Sequence, residues 1–305
     1  MKNTLIENLK KVEFLANCSK WKRFFNNPYK YCTAMIYREF IYAKSKQEKM
    51  VEADMFFGRK MKIALPASTD LYLTGGKTHV SEIRLALFLI NHLKTDSCFL
   101  DIGAHYGYFT LLASELIGEN GSILSFEPTE KSFHLLQRNT ETIPNVRCFQ
   151  MAVSDSQEAS IFYEFPNLFS EYNTSDIAQF EKEKWFNQST PKKVEVKTTT
   201  LDHIIKSEII NPKIIKVDVE GGEYKVIMGG LNYLKEEAPI LVMEYLEPRR
   251  KNESHLKALH LLHEIGYQSK IITSEGNLFP VTDVDNYLKN QKLESDNIVF
   301  IKETT

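Results

Sequence analysis

Hydrophobic and polar residues alternate in a regular rhythm over most of the chain. From residue 97 onwards, short runs of aliphatic and aromatic residues are followed by stretches whose apolar residues recur every three or four positions. Gly, Asn or Pro separates most of these runs. Strands that alternate with helices in this way are typical of a mostly parallel sheet covered by helices on both faces. The pattern therefore predicts a doubly wound α/β domain over residues 79–305.

The predicted elements of this domain begin with a short apolar strand that runs into a glycine-rich turn. In chain order we predict a strand over 98–102, a helix over 108–117, a strand over 122–126, a helix over 131–142 and a strand over 146–153. Another buried strand is predicted over 213–217. The segments 269–273 and 297–302 are predicted to finish the sheet as antiparallel edge strands.

The first 78 residues are predicted to form an extension that is mainly helical, with short strands. Leu5, Leu9 and Val12 recur at three- and four-residue spacing, so they mark one face of a helix. The further elements predicted here are a helix over 31–49 and short strands over 61–65 and 71–73. A helix that begins at Ser81 then opens the α/β domain.

Charge divides the chain in a similar way. The 305 residues carry 38 basic and 40 acidic side chains, a formal net charge of −2. Residues 1–50 carry a net charge of +7, and the remaining residues carry a net charge of −9. The overall balance argues against a chain whose whole surface binds nucleic acid. A hydrophobic content of 43% excludes general disorder.

The basic N-terminal region also contains many aromatic residues, concentrated between Trp21 and Tyr31. Two interpretations follow. The aromatic side chains pack on the α/β domain or on a second subunit in a homo-oligomer, or they contact an anionic partner such as a membrane surface. Nucleic acid is the least favoured partner.

The glycine-rich turn over 103–107 is the first candidate ligand site. Glycine lets the backbone turn tightly and approach a ligand with no Cβ atom in the way. Glu127 follows at the end of the next strand, where a carboxylate accepts hydrogen bonds from ribose hydroxyls. A dinucleotide-binding turn would have glycine in place of His105, and Asp101 would repel a pyrophosphate. An acid there suits a ligand with an amino group and a sulfonium, which indicates S-adenosylmethionine (SAM).

A second group of acids follows the strand over 213–217. Asp218, Glu220 and Glu223 surround a double-glycine turn that opens another helix. In a doubly wound sheet, ligands bind outside the carboxyl ends of the strands, where the strand order reverses. The acids therefore predict a site at that edge, although Glu220 and Glu223 would also favour the dipole of the following helix.

These blocks together resemble the FkbM-type methyltransferases. The resemblance covers about residues 80–300 and rests on DIGAHYGY at 101–108, FEP at 126–128, TLD at 200–202, IKVDVEGGE at 215–223 and PILVME at 239–244. It implies a Rossmann-like class I methyltransferase fold, SAM as the methyl donor and usually a hydroxyl of a sugar or secondary metabolite as the acceptor. The family often has Asn where this chain has His105.

The resemblance also implies roles for particular residues. Asp218 is expected to face the methyl group, Glu127 the ribose, and Glu82 the amino group of the methionine part. The backbone at Ala152 and the side chain of Asp155 are expected to border the adenine. The predicted SAM-binding residues are Glu82, Asp101, Gly103, Ala104, His105, Tyr106, Gly107, Glu127, Pro128, Ala152, Asp155 and Asp218.

Methyl transfer to a hydroxyl requires an aligned oxygen and a base that removes its proton. The predicted catalytic residues are Asp218, Glu220 and Glu223, with His105, His203 and Glu244 as further candidates. Crowding of acids raises a carboxyl pKa, as a base requires. The same acids would suit Mg²⁺, but no tight acid motif demands a metal and none is predicted.

The predicted function is SAM-dependent O-methylation of a sugar, glycan or small hydroxylated metabolite, including lipid-linked or phosphorylated saccharides. The alternatives are a nicotinamide-dependent oxidoreductase, which His105 disfavours, and a SAM-binding scaffold without turnover. The aromatic-rich insertion over 166–191 is interpreted either as a lid or as a partly helical surface segment. Since the sequence has neither a secretory signal pattern nor a long apolar run, a cytoplasmic or membrane-peripheral protein is expected.

Overall fold

The computed structural model describes residues 2–175, 177–180, 185–186 and 190–302. The helices are α1 Lys2–Asn17, α2 Lys20–Asn26, α3 Pro28–Ile36, α4 Ala43–Ser45, α5 Thr69–Thr74, α6 Val80–His92, α7 Tyr108–Ile117, α8 Glu130–Thr140, α9 Leu201–Glu208, α10 Glu223–Gly229, α11 Leu231–Glu236, α12 Glu253–Glu264 and α13 Val284–Gln291. A π-helix covers Tyr37–Tyr42, and short 3-10 helices cover Asn167–Tyr172, Ile177–Phe180 and Pro248–Arg250.

The strands are β1 Lys49–Asp54, β2 Lys60–Leu65, β3 Cys98–Ile102, β4 Ser122–Phe126, β5 Val146–Phe149, β6 Ala152–Val153, β7 Ser160–Glu164, β8 Lys192–Val196, β9 Thr198–Thr199, β10 Ile214–Val217, β11 Ile240–Leu246, β12 Tyr267–Ile272, β13 Leu278–Pro280 and β14 Ser295–Lys302. Within the described chain, eight of them form one sheet in the order β13-β12-β14-β11-β10-β3-β4-β5. The other strands form the pairs β1-β2, β6-β9 and β7-β8.

The central sheet is parallel from β11 to β5, and helices cover it. The pairs β11-β10, β10-β3, β3-β4 and β4-β5 are all parallel. All four residues of β10 are buried, as expected for a central strand that is covered on both faces. The predicted doubly wound, mostly parallel fold is confirmed, and β13 is an antiparallel strand at its edge.

The last strand occupies a different place from the predicted edge position. β14 lies inside the sheet and is antiparallel to both of its neighbours, β11 and β12. The structure buries the polar residues at its start. Asp296 is 1% exposed and accepts hydrogen bonds from Arg84 at 2.8 Å and from the Tyr287 hydroxyl at 2.7 Å. A paired acid is therefore compatible with the interior of the sheet.

Three other predicted elements differ from the structure. The strand predicted over 71–73 is part of α5, which ends at Gly75 in a left-handed conformation. The strand predicted over 146–153 is divided, because β5 pairs with β4 whereas β6 pairs with β9. The second N-terminal helix ends at Ser45, and β1 begins at Lys49.

The N-terminal region is mainly helical, as predicted, and α1 packs against α6. Leu5, Leu9 and Val12 of α1 are buried in the same hydrophobic core as Leu85 and Phe88 of α6. The core is thus continuous across the domain boundary expected near residue 78, which stays a prediction. Among the described residues, no helix is both long enough and apolar enough to cross a bilayer.

Candidate functional site

A cavity of about 330 Å³ lies at the carboxyl ends of the parallel strands. β3 is central, with β4 and β5 on one side and β10 and β11 on the other, so the strand order reverses between β3 and β10. Ligands of doubly wound proteins bind at this reversal, and the volume is in the range of small-molecule sites.

Gly103 makes the closest backbone approach at this point. Its φ is +80°, and a Cβ atom built there would lie 1.7 Å from the carbonyl oxygen of Asp218. The amides of Gly103 and Ala104 both donate to the Phe126 carbonyl at 3.0 Å. The glycine turn therefore joins the ends of β3, β4 and β10, and only glycine satisfies both the conformation and the space.

Glu127, at the end of β4, is 6% exposed and lines the cavity. Its Oε2 accepts from the His105 amide at 3.0 Å, and its Oε1 accepts from the Thr129 amide at 3.0 Å. Burial raises the pKa of Glu127 to about 7, although the bonds from Thr129 and His105 oppose the rise. A carboxylate that is fixed in this way has a defined direction for a ligand hydroxyl.

His105 occupies the middle of the glycine turn with a φ of +49°. Its ring stacks on Tyr106 with 3.7 Å between centroids, and its Nε2 lies 3.2 Å from the Ser170 hydroxyl. Burial lowers the pKa of His105 to about 4, so the imidazole is neutral near pH 7. A neutral ring here is a hydrogen-bonding wall of the cavity rather than a positive charge.

Lys216 links the two strands on either side of the reversal. It is 2% exposed, and its Nζ lies 3.3 Å from both Asp101 Oδ1 and Asp218 Oδ2. Burial acts to lower the pKa of Lys216, but attraction to Asp218 and Asp101 outweighs it and raises the pKa. Asp101 itself is fully buried beneath the cavity, where Thr110 donates to its Oδ2 at 2.7 Å.

Asp218, Glu220 and Glu244 bring carboxylate oxygens within 4.8 Å of one another. Burial acts to raise the pKa of Asp218, but Lys216 and Lys77 outweigh it and hold the pKa below its usual range. Burial and the charges of Glu244 and Asp218 raise the pKa of Glu220 well above its usual range. Burial, together with the charge of Asp218, raises the pKa of Glu244 to about 8.

This acid trio therefore holds one carboxylate that stays ionised and two carboxyls that hold protons near neutral pH. Such a group can exchange a proton with a bound hydroxyl. Three oxygen donors at this separation also fit the ligand preference of a hard divalent cation.

Glu82, in the first turn of α6, forms an ion pair with Lys77 at 3.3 Å. Lys77 also lies 3.6 Å from Glu171. Burial acts to lower the pKa of Lys77, but Glu82 and Glu171 outweigh it and raise the pKa well above its usual range. Sequence reasoning missed Lys77, although a lysine directly after Gly75–Gly76 and five residues before Glu82 was a usable signal.

The insertion over 166–191 contributes one wall of the cavity. Ser170, Glu171, Tyr172, Asn173 and Ser175 line it, and the Thr174 hydroxyl donates to the Glu220 carbonyl. Most of the described aromatic residues in the insertion pack on one another. Trp185, for example, stacks on Tyr172 with 4.9 Å between ring centroids. The parts of the insertion at 176, 181–184 and 187–189 lie outside the described residues.

The structure brings most of the predicted site residues to one cavity. Those that line it are Glu82, Gly103, Ala104, His105, Tyr106, Glu127, Pro128, Ala152, Asp218 and Glu220. Asp101 lies beneath the cavity. Gly107, with a φ of +90°, caps the start of α7. Asp155 is exposed, whereas its neighbour Ser154 lines the cavity.

Glu223, one of the three predicted catalytic acids, is separated from the cavity lining. It is fully buried, accepts from the Gly221 amide at 3.1 Å and lies 3.3 Å from His255 Nε2. Its position supports the double-glycine turn beneath Glu220. Glu244, which was only a further candidate base, lines the cavity instead, as do Lys77 and Arg250.

Comparison with known families gives a match over more than half of the chain. Residues 101–269 match the sequence model described as "Methyltransferase FkbM domain". The chain is 24% identical over 155 residues to Hexuronic acid methyltransferase AglP of Haloferax volcanii, covering 50% of this chain and 58% of that protein. It is 26% identical over 200 residues to Methyltransferase sdnD of Sordaria araneosa, covering 53% and 76%, respectively.

A further relative is Methyltransferase 1 of Beauveria bassiana, 29% identical over 148 residues, with 44% of this chain and 58% of that protein covered. The chain thus spans less than two thirds of the length of AglP and less than two thirds of the length of the Beauveria bassiana protein. Among solved structures, Methyltransferase FkbM from Methylobacillus flagellatus KT is a distant match. Its identity is 15% and its TM-score is 0.41, with 77% of this chain and 52% of that chain covered.

Proposed function

The chain belongs to the FkbM family of methyltransferases, and we propose that it methylates a hydroxyl of a saccharide or another small hydroxylated metabolite. SAM is the methyl donor of this class of enzyme and supplies an electrophilic methyl group on a sulfonium. The protein must then align an acceptor oxygen in line with that methyl group and remove the hydroxyl proton.

We assign the donor to the wall formed by the glycine turn, Glu127 and the start of α6. Glu127 suits the ribose hydroxyls, because its oxygens are fixed by protein amides. Glu82 and Lys77 carry opposite charges 3.3 Å apart, so together they match the ammonium and carboxylate of the methionine part. Asp218 stays ionised at neutral pH, and its negative charge suits the neighbouring sulfonium.

The observation that carries the proposed chemistry is the crowding of Glu220 and Glu244 beside Asp218. A carboxylate with an ordinary pKa is a weak base at pH 7. The raised pKa of Glu244, about 8, makes its ionised form a better proton acceptor. We therefore propose that the Glu220–Glu244 pair removes the proton of the acceptor hydroxyl. Asp218, which stays negatively charged, contributes to binding of the methyl donor.

A saccharide acceptor is supported by one relative and by the character of the cavity. AglP, by its name, methylates a hexuronic acid. The cavity wall beyond the acid trio includes Arg250, Lys225 and Ser295, whose donor groups match the hydroxyls of a sugar. The alternative of a nicotinamide-dependent oxidoreductase has no support from the family match. A turnover assay distinguishes the proposed enzyme from a SAM-binding scaffold without turnover.

The direct test is incubation of the full chain with methyl-labelled SAM and a panel of uronic acids, neutral sugars and phosphorylated sugars, followed by mass spectrometry. We expect label on a hydroxyl of at least one saccharide. Calorimetry with SAM and NAD gives an independent readout. Binding of NAD without SAM would contradict the donor assignment, and SAM binding with no labelled product on any hydroxyl would favour the scaffold.

The base assignment has its own matched variants. Glu244→Gln keeps the size of the side chain and removes the base, so we expect kcat to fall about 10²-fold or more while SAM affinity is retained. Glu294→Gln, at another cavity-lining but exposed acid, is the control and should leave kcat within about twofold. If a chelator abolishes turnover and Mg²⁺ restores it, the trio acts as a metal site instead of a base.

A further inference from the structure

The N-terminal helices expose an unusual number of large apolar side chains. Trp21 and Phe25 of α2 are 73% and 71% exposed, and Tyr29 of α3 is 78% exposed. Ile36 and Phe40 continue the series at 53% and 67% exposure. These side chains belong to α2 and to the helical segment that follows it, and α2 packs on α3.

The spacing of these residues defines a face of the helix that runs through α3, the π-helix and α4. Tyr29, Ile36 and Phe40 are seven and four positions apart and lie on the exposed side. Ala34, Tyr37 and Tyr42 are buried on the other side. The helix thus already has its packed face, and the exposed apolar face is additional.

The exposed face is held in a fixed orientation. The Arg23 guanidinium of α2 donates to the carbonyls of Leu15 and Ala16 at the end of α1, at 3.0 and 2.8 Å. The rings of Trp21 and Phe25 stack with 6.4 Å between centroids. Phe24 contacts Tyr31 of α3 edge-to-face at 5.7 Å. These contacts join α1, α2 and α3, so the apolar side chains are presented together.

Cations surround this apolar face. Positions 20–49 contain eight basic residues against two acidic ones. Lys20, Lys22, Arg38, Lys44 and Lys46 are all exposed. Aromatic and aliphatic side chains among exposed lysines match the interface of an anionic bilayer, where rings enter the headgroup region and cations meet lipid phosphates.

We propose that this basic aromatic surface, formed by Trp21, Phe25, Tyr29, Ile36, Phe40 and the surrounding lysines, docks the protein on a membrane that contains anionic lipids. A second copy of the chain is a poorer occupant, because two strongly basic faces would repel each other. Nucleic acid also fits less well, because Ile36 has no flat face on which a base stacks.

The surface is close to the wall of the cavity. α3 packs against α5, and Lys30 of α3 lies over the ring of Tyr72 in α5 at 5.3 Å. Asp70 and Leu71, adjacent to Tyr72, line the cavity. Docking at this surface therefore brings the wall of the site near the bilayer, where an acceptor carried by a lipid would be found. Only this consequence rests on the proposed function.

The test is flotation of the full chain with vesicles of phosphatidylcholine alone or mixed with phosphatidylglycerol. We expect binding to the mixed vesicles that weakens as salt is raised from about 0.1 M to about 1 M, because the Debye length falls from about 10 Å to about 3 Å. Weak binding to phosphatidylcholine alone is expected from the same argument.

Two sets of variants separate the apolar and charged contributions. Trp21→Ser, Phe25→Ser and Phe40→Ser, combined, should weaken binding to mixed vesicles by at least about tenfold. Lys20→Glu, Lys22→Glu and Lys44→Glu, combined, should weaken it by at least as much. The matched controls are the exposed residues Ile161, Ile209 and Phe279, changed to Ser, and Lys206, Lys257 and Lys289, changed to Glu.

The proposal is overturned if the chain does not float, or if the controls lose as much binding as the test variants. It is also overturned if the chain does not bind vesicles but forms an oligomer in light scattering, and if Trp21→Ser and Phe25→Ser dissociate that oligomer. Flotation is measured without SAM or acceptor, so its failure leaves the proposed methyl transfer unaffected. A failure of methyl transfer would likewise leave docking intact.

Discussion

The two halves of the cavity hold their carboxylates in different ways. On the β3 and β4 side, both oxygens of Glu127 accept hydrogen bonds from protein amides, and one oxygen of Asp101 accepts from a hydroxyl. On the β10 and β11 side, Asp218, Glu220 and Glu244 crowd within 4.8 Å of one another. The hydrogen bonds fix a direction for both Glu127 oxygens, whereas Glu220 and Glu244 hold protons near neutral pH beside the ionised Asp218.

The difference separates recognition from chemistry. A carboxylate whose oxygens are already satisfied changes little when a ligand arrives, so it suits the binding of ribose hydroxyls. Glu220 and Glu244, crowded beside the ionised Asp218, have raised pKa values and exchange protons near neutral pH. Variants and pH titrations that disturb either side of the cavity test this division.

Gly103→Ala should break the junction between the two halves. The new Cβ would lie 1.7 Å from the Asp218 carbonyl oxygen, and φ is +80°, so both space and conformation oppose it. We expect a loss of about 4 kcal/mol or more in the free energy of unfolding, measured by urea titration, and loss of SAM binding.

Gly58→Ala is the matched control for this variant. Gly58 has a φ of +90°, but no atom lies within 4 Å of the added Cβ, so it reports the conformational strain without the clash. Its expected cost is about 1–2 kcal/mol. Equal costs for the two variants would contradict the close approach at Gly103.

Lys216→Met should remove the positive charge that links Asp101 on one side of the cavity to Asp218 on the other. Lys216 is 2% exposed and pairs with Asp101 and Asp218, so its loss leaves two acids facing each other. We expect about 3 kcal/mol of destabilisation at pH 7, less at low pH, in urea titrations. Lys225→Met, at an exposed cavity lysine, should cost under about 0.5 kcal/mol. A cost at Lys216 that does not change with pH would argue against this charge network.

The donor half could be predicted from the sequence because its features are local. The strand, glycine turn and helix at 98–117 follow one another directly, and β3 and α7 have the predicted bounds. Glu127 follows β4 by a single residue, so its position at the strand end was fixed by the strand itself. Local periodicity and turn chemistry were sufficient for this half.

The acid trio depended on contacts that no local pattern encodes. Glu223 was a reasonable candidate at a helix N-terminus, yet it turns inward towards His255, which lies 32 positions further along the chain. Glu244 reaches the cavity because β11 is parallel to β10, with Met243 paired to Val217. The interior position of β14 likewise depends on a distant contact, because its buried Asp296 forms an ion pair with Arg84 of α6. Asp218 and Glu220 were predicted from their place after β10, but sequence distance left Glu244 among the further candidates and concealed the contact of Glu223 with His255.

The pH dependence of kcat should reflect the ionisation of the acids on the β10 and β11 side of the cavity. The base acts when it is ionised, so kcat should rise with pH up to the pKa of Glu244, about 8, and level off above it. The slope below this pH should approach tenfold per unit, measured with saturating SAM and acceptor. Glu244→Gln should remove this limb. A limb that persists in Glu244→Gln would assign it to Glu220 or to the acceptor.

The pH dependence of SAM affinity should reflect the ionisation of Glu127 on the β3 and β4 side, and it should be smaller than the pH dependence of kcat. Ribose hydroxyls donate more strongly to an ionised carboxylate, and burial raises the pKa of Glu127 to about 7. The dissociation constant for SAM should therefore fall severalfold, at most about tenfold, as pH rises from 6 to 8 in calorimetric titrations. Glu127→Gln should weaken binding about tenfold and flatten this dependence, whereas Glu130→Gln, at an exposed residue in the first turn of α8, should preserve it. If Glu127→Gln instead leaves affinity unchanged but lowers kcat, the division between a binding half and a reactive half of the cavity is wrong.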